Sequence, residues 1–271
     1  MQGPLERALR AVYRGLVPAR TKSTLRLRLL FDERDKPPRP IDAFDARPVL
    51  VLAPHMDDEV IGCGGALRRH ALAGAPVTVL VLTDGRRGGP GGAPGGPELV
   101  AARKGESRRA AAVLGTRELV FLDQPDGALA PTPDLVRSVG EVWGRVRPGV
   151  VYAPSALDVH DDHWAANLLL LEHLEAAGTG LDDGVLLRQY EVWTPLLVNR
   201  LVDIGAVLDD KLRALAQFES QTPQVDLARV CAGLGAYRSI HLGGGRGHAE
   251  AFYESTPAEY RALMWRFLEE R

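Results

Sequence analysis

Apolar residues along the chain follow two alternating patterns: short continuous runs and longer stretches with helical spacing. The short runs are rich in β-branched residues and predict strands, and the first two are apolar enough to be buried on both faces of a sheet. The stretches between them predict helices. The predicted strands are PVLVLAP (48–54), PVTVLVLTD (76–84), ELVFLD (118–123), GVVYAP (149–154) and LRQYEVWTP (187–195).

The order of these elements predicts the fold class. Strand, helix and strand repeat along the first two thirds of the chain, which is typical of an α/β protein with a parallel sheet and helices on both faces. The last third has mostly helical patterns, from AVLDDKLRALAQFES to TPAEYRALMWRFLEER. We therefore expect a single domain with a Rossmann-like, mostly parallel sheet and extra C-terminal helices.

Composition is ordinary for a globular protein: 271 residues, of which 45% are hydrophobic and 25% charged. No apolar stretch approaches the ~18 residues of a membrane span, and the N-terminus carries charges where a signal peptide needs an apolar core. We expect a cytoplasmic protein. Two cysteines, Cys63 and Cys231, are too few for a disulfide framework or a zinc finger and are expected to be reduced.

Charge is distributed unevenly. Residues 1–36 contain nine Lys or Arg and four Asp or Glu, a balance of +5, against −7 for the remainder. We expect residues 1–45 to form a basic segment packed on a domain of residues 46–271 or on a sister subunit of a homo-oligomer. Peripheral contact with an anionic membrane is the less favoured interpretation. A pI near 6.4 and the lack of a recognisable motif argue against nucleic-acid binding.

Two polar clusters follow predicted strands. PHMDDE ends the first strand, and SALDVHDDHWAAN (155–167) follows the fourth. An unpaired buried charge costs several kcal/mol, which is comparable to the net stability of a whole domain. Charged clusters at the ends of buried strands therefore indicate a compensating partner or ligand. Ligands of open α/β sheets bind beyond the carboxyl ends of strands, where the strand order reverses. If the first and fourth strands are neighbours, the two clusters face one another.

The residue types in these clusters suit a metal ion. His55 and Asp58 are three residues apart, so a tight turn can aim both at one point, and a histidine from the second cluster would complete a three-ligand site. Two imidazoles and a carboxylate leave a fourth position for water, as in catalytic zinc sites. Imidazole also suits iron, cobalt or nickel, so Fe²⁺ is an alternative to Zn²⁺. The competing interpretation is that the clusters are helix caps and solvated turns.

The same residues carry a family resemblance. APHMDDE followed by GCGG, with HDDH about a hundred residues later, resembles the zinc-dependent N-deacetylases that include the N-acetylglucosaminyl-phosphatidylinositol (PIG-L) and LmbE-like enzymes. That family's motifs read Ala-His-Pro-Asp-Asp-Glu and His-x-Asp-His, so Met56 replaces a proline. Similarity extends through LTDGRRG, RKGESRRAAAVLG and VFLDQPDG and covers roughly residues 46–255. The two motifs together make the resemblance specific.

The resemblance implies a role for each matching position. His55, Asp58 and His163 would hold the metal. Asp57 would act as the general base on a metal-bound water that attacks the amide, His160 would stabilise the oxyanion or protonate the amine, and Asp162 would orient His160. Arg103 and Asp126 resemble positions that contact the polar substrate.

We therefore expect a zinc-dependent hydrolase that removes an N-acyl group, usually acetyl, from an amino sugar or sugar conjugate. One alternative is an amidase for a non-sugar acylated metabolite, which would share these catalytic residues. Another is a non-catalytic metal- or sugar-binding protein, which intact Asp57 and His160 disfavour. The glycine- and proline-rich residues 85–98 lack phosphate-loop spacing and are interpreted as a mobile loop beside the cleft, with a lid as one possible role.

Overall fold

The part of the chain that the structure describes contains one eight-stranded mixed sheet. The computed structural model describes residues 37–89, 93–181 and 184–269, and those from Pro38 onward belong to one compact unit. Residues 1–36 of the predicted basic segment therefore lie outside the described residues. The strands are β1 (Arg39–Pro40), β2 (Val49–Ala53), β3 (Val77–Thr83), β4 (Glu118–Gln124), β5 (Val150–Pro154), β6 (Leu186–Tyr190), β7 (Arg200–Asp203) and β8 (Ala249–Ser255).

The strand order is β1-β7-β8-β6-β5-β2-β3-β4. From β4 to β6 all pairs are parallel, and their order is that of a doubly wound sheet, with its reversal between β2 and β5. In the described sheet, β8 runs antiparallel to its neighbours β6 and β7, and β1 pairs parallel with β7. The first and fourth predicted strands, β2 and β5, are neighbours, which is the condition for the two polar clusters to face one another. The crevice at the reversal lies between these clusters.

Both faces of the central strands are buried, as their continuous apolar runs predict. Alternate residues of β2 enter different cores, Val49 and Val51 on one face and Leu50 and Leu52 on the other. Helices cover both faces, which confirms the predicted fold class. In the described part of the chain the helices are α1 (Asp58–Leu72), α2 (Pro97–Leu114), α3 (Pro133–Val146), α4 (Asp161–Ala177), α5 (Leu208–Leu215), α6 (Leu227–Arg238), α7 (Ile240–Gly243) and α8 (Pro257–Leu268).

The last third of the chain differs from the mostly helical prediction, because it also contains β7 and β8. Strand β8 buries Glu250, a charged residue that breaks the apolar run by which a buried strand is recognised. The predicted strand 187–195 is wrong beyond Tyr190. From Glu191 the chain forms a loop in which the Glu191 carboxylate accepts a hydrogen bond from the Leu196 N–H at 2.6 Å.

Among the residues that the structure describes, no helix combines the length and the apolar character needed to cross a bilayer.

Candidate metal centre

The candidate site lies at the carboxyl edge of the parallel strands. The loop after β2 supplies His55, Asp57 and Asp58, and the loop after β5 leads into the first turn of α4 with His160 to His163. A third loop, after β4, contributes Asp126. Because β5, β2 and β4 are parallel strands of one sheet, with β3 between β2 and β4, their carboxyl ends bring all three loops to the same edge.

His55, Asp58 and His163 converge on one point. Oδ2 of Asp58 lies 3.2 Å from Nδ1 of His55 and 3.2 Å from Nε2 of His163. The same oxygen accepts a hydrogen bond from the His55 backbone N–H at 2.8 Å, which fixes the turn after β2. All three residues are buried. The three ligands implied by the resemblance are thus adjacent.

The second nitrogen of His55 faces two further carboxylates. Its Nε2 lies 3.0 Å from Oδ2 of Asp162 and 3.3 Å from Oδ1 of Asp126. Asp162 also accepts hydrogen bonds from the backbone N–H groups of Gly127 and Leu129, at 2.7 and 3.0 Å. These bonds place the Asp162 carboxylate against His55 and the loop after β4. The expectation that this carboxylate orients His160 does not match the geometry.

His160 is held instead by backbone. It is the N-cap residue of α4, and its Nδ1 accepts a hydrogen bond from the Asp162 N–H at 3.1 Å. Since Nδ1 accepts, the neutral ring carries its proton on Nε2. The ring centroid lies 4.7 Å from that of His55 and 4.9 Å from that of His163. His160 is therefore positioned as a donor beside the buried histidines.

The donor set fits a metal ion. Within the described ranges, neither ring nitrogen of the fully buried His163 makes a hydrogen bond, although carboxylates lie near both. A buried imidazole without hydrogen-bond partners is costly unless a cation takes a lone pair. Among the described residues, two sets of three side chains each have metal-binding atoms that lie within 4.8 Å of one another. One set is His55, His160 and His163, and the other is His55, Asp126 and Asp162.

Asp57 lies beside these donors in a strained conformation. Its φ of 141° is in the region that only glycine adopts easily, at the start of α1. The buried Arg103 guanidinium reaches Oδ2 of Asp57 at 3.4 Å and donates to the carbonyls of Gly85 and Met56 at 2.9 and 3.0 Å. Arg103 therefore supports the Asp57 loop, besides lining the cavity where substrate contact was expected.

The site shifts the pKa values of its acids and bases. Burial raises the pKa of Asp57 to about 7. Burial also lowers the pKa of His163, but the nearby Asp58 and Asp158 carboxylates outweigh this and raise it to about 9. For His160, burial and the two neighbouring histidines lower the pKa. Near neutral pH, Asp57 is thus placed between its acid and base forms, as suits proton transfer.

Sequence reasoning missed two acidic residues of the site. Oδ2 of Asp158 lies 3.4 Å from Nδ1 of His163, and Oδ1 accepts a hydrogen bond from the His160 N–H at 3.1 Å. Glu59 accepts from the Asp57 N–H at 3.3 Å, and burial raises its pKa to about 8. Both belong to the quoted polar clusters, so their proximity in sequence to the histidines was the available signal.

A cavity of about 460 Å³ opens above these residues. His55, Asp57 and Asp58 line its inner part, and Arg103 and Asp126 form part of the wall. Residues from the predicted mobile loop also reach it through Arg87 and Gly88, while Pro90 to Gly92 lie outside the described residues. The volume is within the range of small-molecule sites.

Comparison with protein-family models gives one family. Residues 50–174 match the PIG-L family, described as GlcNAc-PI de-N-acetylase. The diacetylchitobiose deacetylase of Thermococcus kodakarensis is 34% identical over 195 residues, which are 66% of this chain and 72% of that protein. The residues that match the family model, 50–174, include both polar clusters.

Solved structures extend the similarity to nearly the whole chain. The N,N'-diacetylchitobiose deacetylase of Pyrococcus horikoshii has a TM-score of 0.70 at 22% identity and covers 96% of each chain, which shows a shared fold. GalB, a 4-carboxy-2-hydroxymuconate hydratase from Pseudomonas putida KT2440, has a TM-score of 0.67 at 26% identity and covers 78% of this chain and 97% of its own. The fold therefore supports more than one reaction.

Proposed function

The chain belongs to the PIG-L family of LmbE-like deacetylases, and on that premise we propose that it is a metal-dependent hydrolase of N-acetylated amino sugars. The observation that carries the proposal is the convergence of His55, Asp58 and His163 beside a carboxylate with a raised pKa. A metal site next to a general base in an open cavity suits hydrolysis of an unactivated amide.

His55, Asp58 and His163 are the proposed metal ligands, and Zn²⁺ is the proposed ion. When bound, the metal supplies Lewis acidity that polarises the amide carbonyl and makes a water molecule more acidic. Asp162 and Asp126 hold the outer nitrogen of His55, and Asp158 faces the outer nitrogen of His163. Such partners fix the orientation of ligand imidazoles and increase their basicity.

Asp57 and His160 are the proposed catalytic residues. Asp57 takes a proton from the attacking water, whose oxygen forms a bond to the amide carbon. His160 donates from Nε2 to the oxyanion, consistent with Nδ1 accepting from the Asp162 N–H. The C–N bond then breaks, and the proton on Asp57 passes to the leaving nitrogen. The acetic acid formed gives its own proton to the released amine, so that the products are acetate and the ammonium form of the amino sugar.

Asp126 is the proposed contact for hydroxyl groups of the sugar, with Arg103 contributing to the cavity wall. Both line the cavity beside Asp57, and an N-acetylated sugar presents hydroxyls and an amide that such groups can bind. A non-sugar amide would use the same catalytic residues. A panel of N-acetylated sugars and N-acetylated amines of similar size therefore decides the substrate class.

The test is amine release by zinc-loaded protein, with Asp57→Asn and the control Asp209→Asn compared. Asp209 is exposed in the first turn of α5 and does not line the cavity. Loss of the general base should lower kcat about 10²- to 10⁴-fold in Asp57→Asn while zinc content is retained, and Asp209→Asn should remain active. Zinc-loaded protein that releases no amine from any substrate would refute the proposal. Because GalB shares the fold, hydration of an unsaturated acid is the activity to assay in that event.

A further inference from the structure

Two exposed apolar side chains lie at the rim of the cavity. Trp193, in the loop after β6, is 51% exposed, and Val159, in the loop after β5, is 78% exposed. Both line the same cavity as the deeply buried His55 and Asp58. This gradient of exposure separates a charged inner part, where an amide would react, from an apolar rim that would contact the rest of a substrate.

The backbone of Trp193 is tied to the candidate metal centre. Its N–H donates to Oδ2 of Asp158 at 3.0 Å, and the Val159 N–H donates to Oγ1 of Thr194 at 3.3 Å. Asp158 is also the carboxylate that faces His163 and caps His160. One side chain therefore sets the position of the rim loop relative to both histidines.

A buried ion pair fixes the other end of this loop. Arg238 of α6 contacts both carboxylate oxygens of Glu191 and donates to the Leu196 carbonyl at 3.0 Å. Glu191 in turn accepts from the Leu196 N–H at 2.6 Å. The loop is thus closed on itself by buried contacts, although it is neither helix nor strand. A tryptophan on a loop fixed at both ends loses little conformational entropy when a ligand binds.

We propose that Trp193, together with Val159, forms a subsite for a second sugar ring, linked to the N-acetylated sugar whose amide reacts. This inference rests on the proposed function. One face of a pyranose consists of C–H bonds and forms an apolar surface that can lie on an indole, while its hydroxyls stay at the edge. The substrate class is therefore an oligosaccharide or glycoside, rather than a free monosaccharide.

The polar neighbours of the rim favour a sugar ring over an acyl chain. Arg87 and Gln221 line the same cavity. The exposed Arg87 offers guanidinium N–H donors, whereas the side-chain nitrogen of Gln221 already donates to the Gly88 carbonyl and to Ser220 Oγ, so that Gln221 offers its Oε1 as an acceptor. A hydrocarbon chain would displace water from these groups without replacing its hydrogen bonds, whereas the hydroxyls of a ring can replace them. An apolar stacking surface together with a few polar groups is the usual composition of small-molecule sites.

Kinetics with a disaccharide of two N-acetylglucosamines and with N-acetylglucosamine itself test the subsite. In Trp193→Ala, loss of stacking should raise KM for the disaccharide about tenfold and leave kcat nearly unchanged, while the constants for the monosaccharide stay the same. Trp193→Phe should retain most of the affinity. The matched control is Trp265→Ala, because Trp265 is 49% exposed on α8 and bonds Glu175. Equal effects on both sugars, no effect, or a preference for long N-acyl chains would overturn the inference.

A binding measurement separates this inference from the proposed reaction. Tryptophan fluorescence of metal-free protein is titrated with the disaccharide, so no turnover is needed. The wild type and Trp265→Phe should show a saturable change that Trp193→Phe lacks. If the change is found but no amine is released from any sugar, the subsite stands and the proposed reaction fails. If amine is released but the wild type shows no fluorescence change, the subsite is refuted.

Discussion

Asp57 combines a positive φ with a mostly buried carboxylate. A strained φ in a non-glycine residue costs about 1–3 kcal/mol, so glycine should relieve it. We predict that Asp57→Gly is more stable to urea than Asp57→Ala by about 1 kcal/mol, although glycine normally costs about 0.5–1 kcal/mol relative to alanine. Both variants should be inactive, because both lack the proposed base.

Metal-free protein is the right sample for this comparison, since bound metal would add its own stabilisation. The control pair is Asp161→Gly and Asp161→Ala. Asp161 lies within the first turn of α4, where alanine should be the more stable replacement. If alanine is also the more stable replacement at position 57, the conformation of Asp57 is not strained.

His70 should make stability depend on pH. Burial, followed by the nearby Arg188, lowers the pKa of His70 to about 3, whereas in the unfolded chain it is about 6.5. Above pH 6.5 the histidine is neutral in both states. As the pH falls below 6.5, only the unfolded chain takes up this proton, so stability is lost. Between pH 6.5 and 5 the loss should be about 2 kcal/mol.

The measurement is the free energy of unfolding in urea at both pH values. His70→Gln, which can still pair with the Tyr152 hydroxyl that lies 3.1 Å from Nε2 of His70, should lose this part of the pH dependence. His241→Gln, at an exposed position of α7, should keep it. The same pH dependence in His70→Gln as in the wild type would exclude this explanation.

At the residue scale, the sequence predicts well which residues come together in the site, but it predicts poorly which of their atoms form the contacts. The spacing of His55 and Asp58 within one turn fixes their proximity. The partner of the Asp162 carboxylate depends on two N–H groups of the loop after β4, more than thirty residues away, and no local pattern encodes that contact.

Among the elements, α1 shows how distant side chains complete a helix. Its backbone is non-helical at Cys63, and the N–H groups of Gly65 and Ala66 that follow donate to the Glu250 carboxylate of β8 at 2.8 and 2.7 Å. Glu250 also pairs with the buried Lys211 at 2.6 Å. Burial lowers the pKa of Lys211, but the Glu250 charge outweighs this and raises it. One carboxylate thus joins α1, α5 and β8.

Removing that carboxylate alone should be severely destabilising. In Glu250→Ala the Lys211 ammonium stays buried without its partner, which typically costs about 3–5 kcal/mol. The double variant Glu250→Ala with Lys211→Met should be more stable than Glu250→Ala, because both proteins lose the hydrogen bonds to Gly65 and Ala66 but the double variant leaves no buried charge unpaired. Urea unfolding of the three proteins tests this. A double variant no more stable than Glu250→Ala would show that the charge pair is not the cause.

Sequence periodicity predicted the elements whose burial follows the apolar pattern, and it failed where charges are buried. β2 and β3 were predicted because every residue in them is buried and nearly all are apolar. β8 was missed because Glu250 points into the protein, where Lys211 compensates it. Such compensation is visible only when the two partners, 39 residues apart, are seen together.

For the whole molecule, metal binding should couple to stability and to pH. An ion that binds only the folded state at 1,000 times its Kd adds about 4 kcal/mol. His163 is a proposed ligand, and its pKa is raised to about 9, so it must lose a proton before it binds zinc. The affinity for zinc should therefore rise with pH below that value. We predict that zinc raises Tm more at pH 8 than at pH 6, and that chelation reverses the effect.

The test compares the Tm of two variants, measured with and without zinc. One is His163→Ala, and the control is His241→Ala at an exposed position. The first should lose the zinc-dependent rise in Tm, and the second should keep it. A rise that is equal at both pH values, or unchanged in His163→Ala, would place the ion elsewhere.

The overall sheet was the most predictable level. A repeated strand-helix pattern restricts a chain to a few right-handed arrangements, so the neighbouring positions of β2 and β5 followed from the fold class. The position of β8 between β6 and β7 could not be predicted in this way. β8 follows both strands in sequence and runs antiparallel to them, so the rules for strand-helix-strand units do not apply to it.

The rim loop after β6 lies outside residues 50–174, the part of the chain that matches the family, whereas the proposed ligands and base lie within it. Trp193, the larger part of the proposed subsite, is therefore encoded apart from the reacting groups, whereas Val159 lies beside His160 within that stretch. The loop contacts Asp158 through the Trp193 backbone N–H, so a substitution of the Trp193 side chain leaves that bond in place. A chain built in this way can change the sugar that it accepts by a substitution at one rim position, while the proposed ligands and base keep their places.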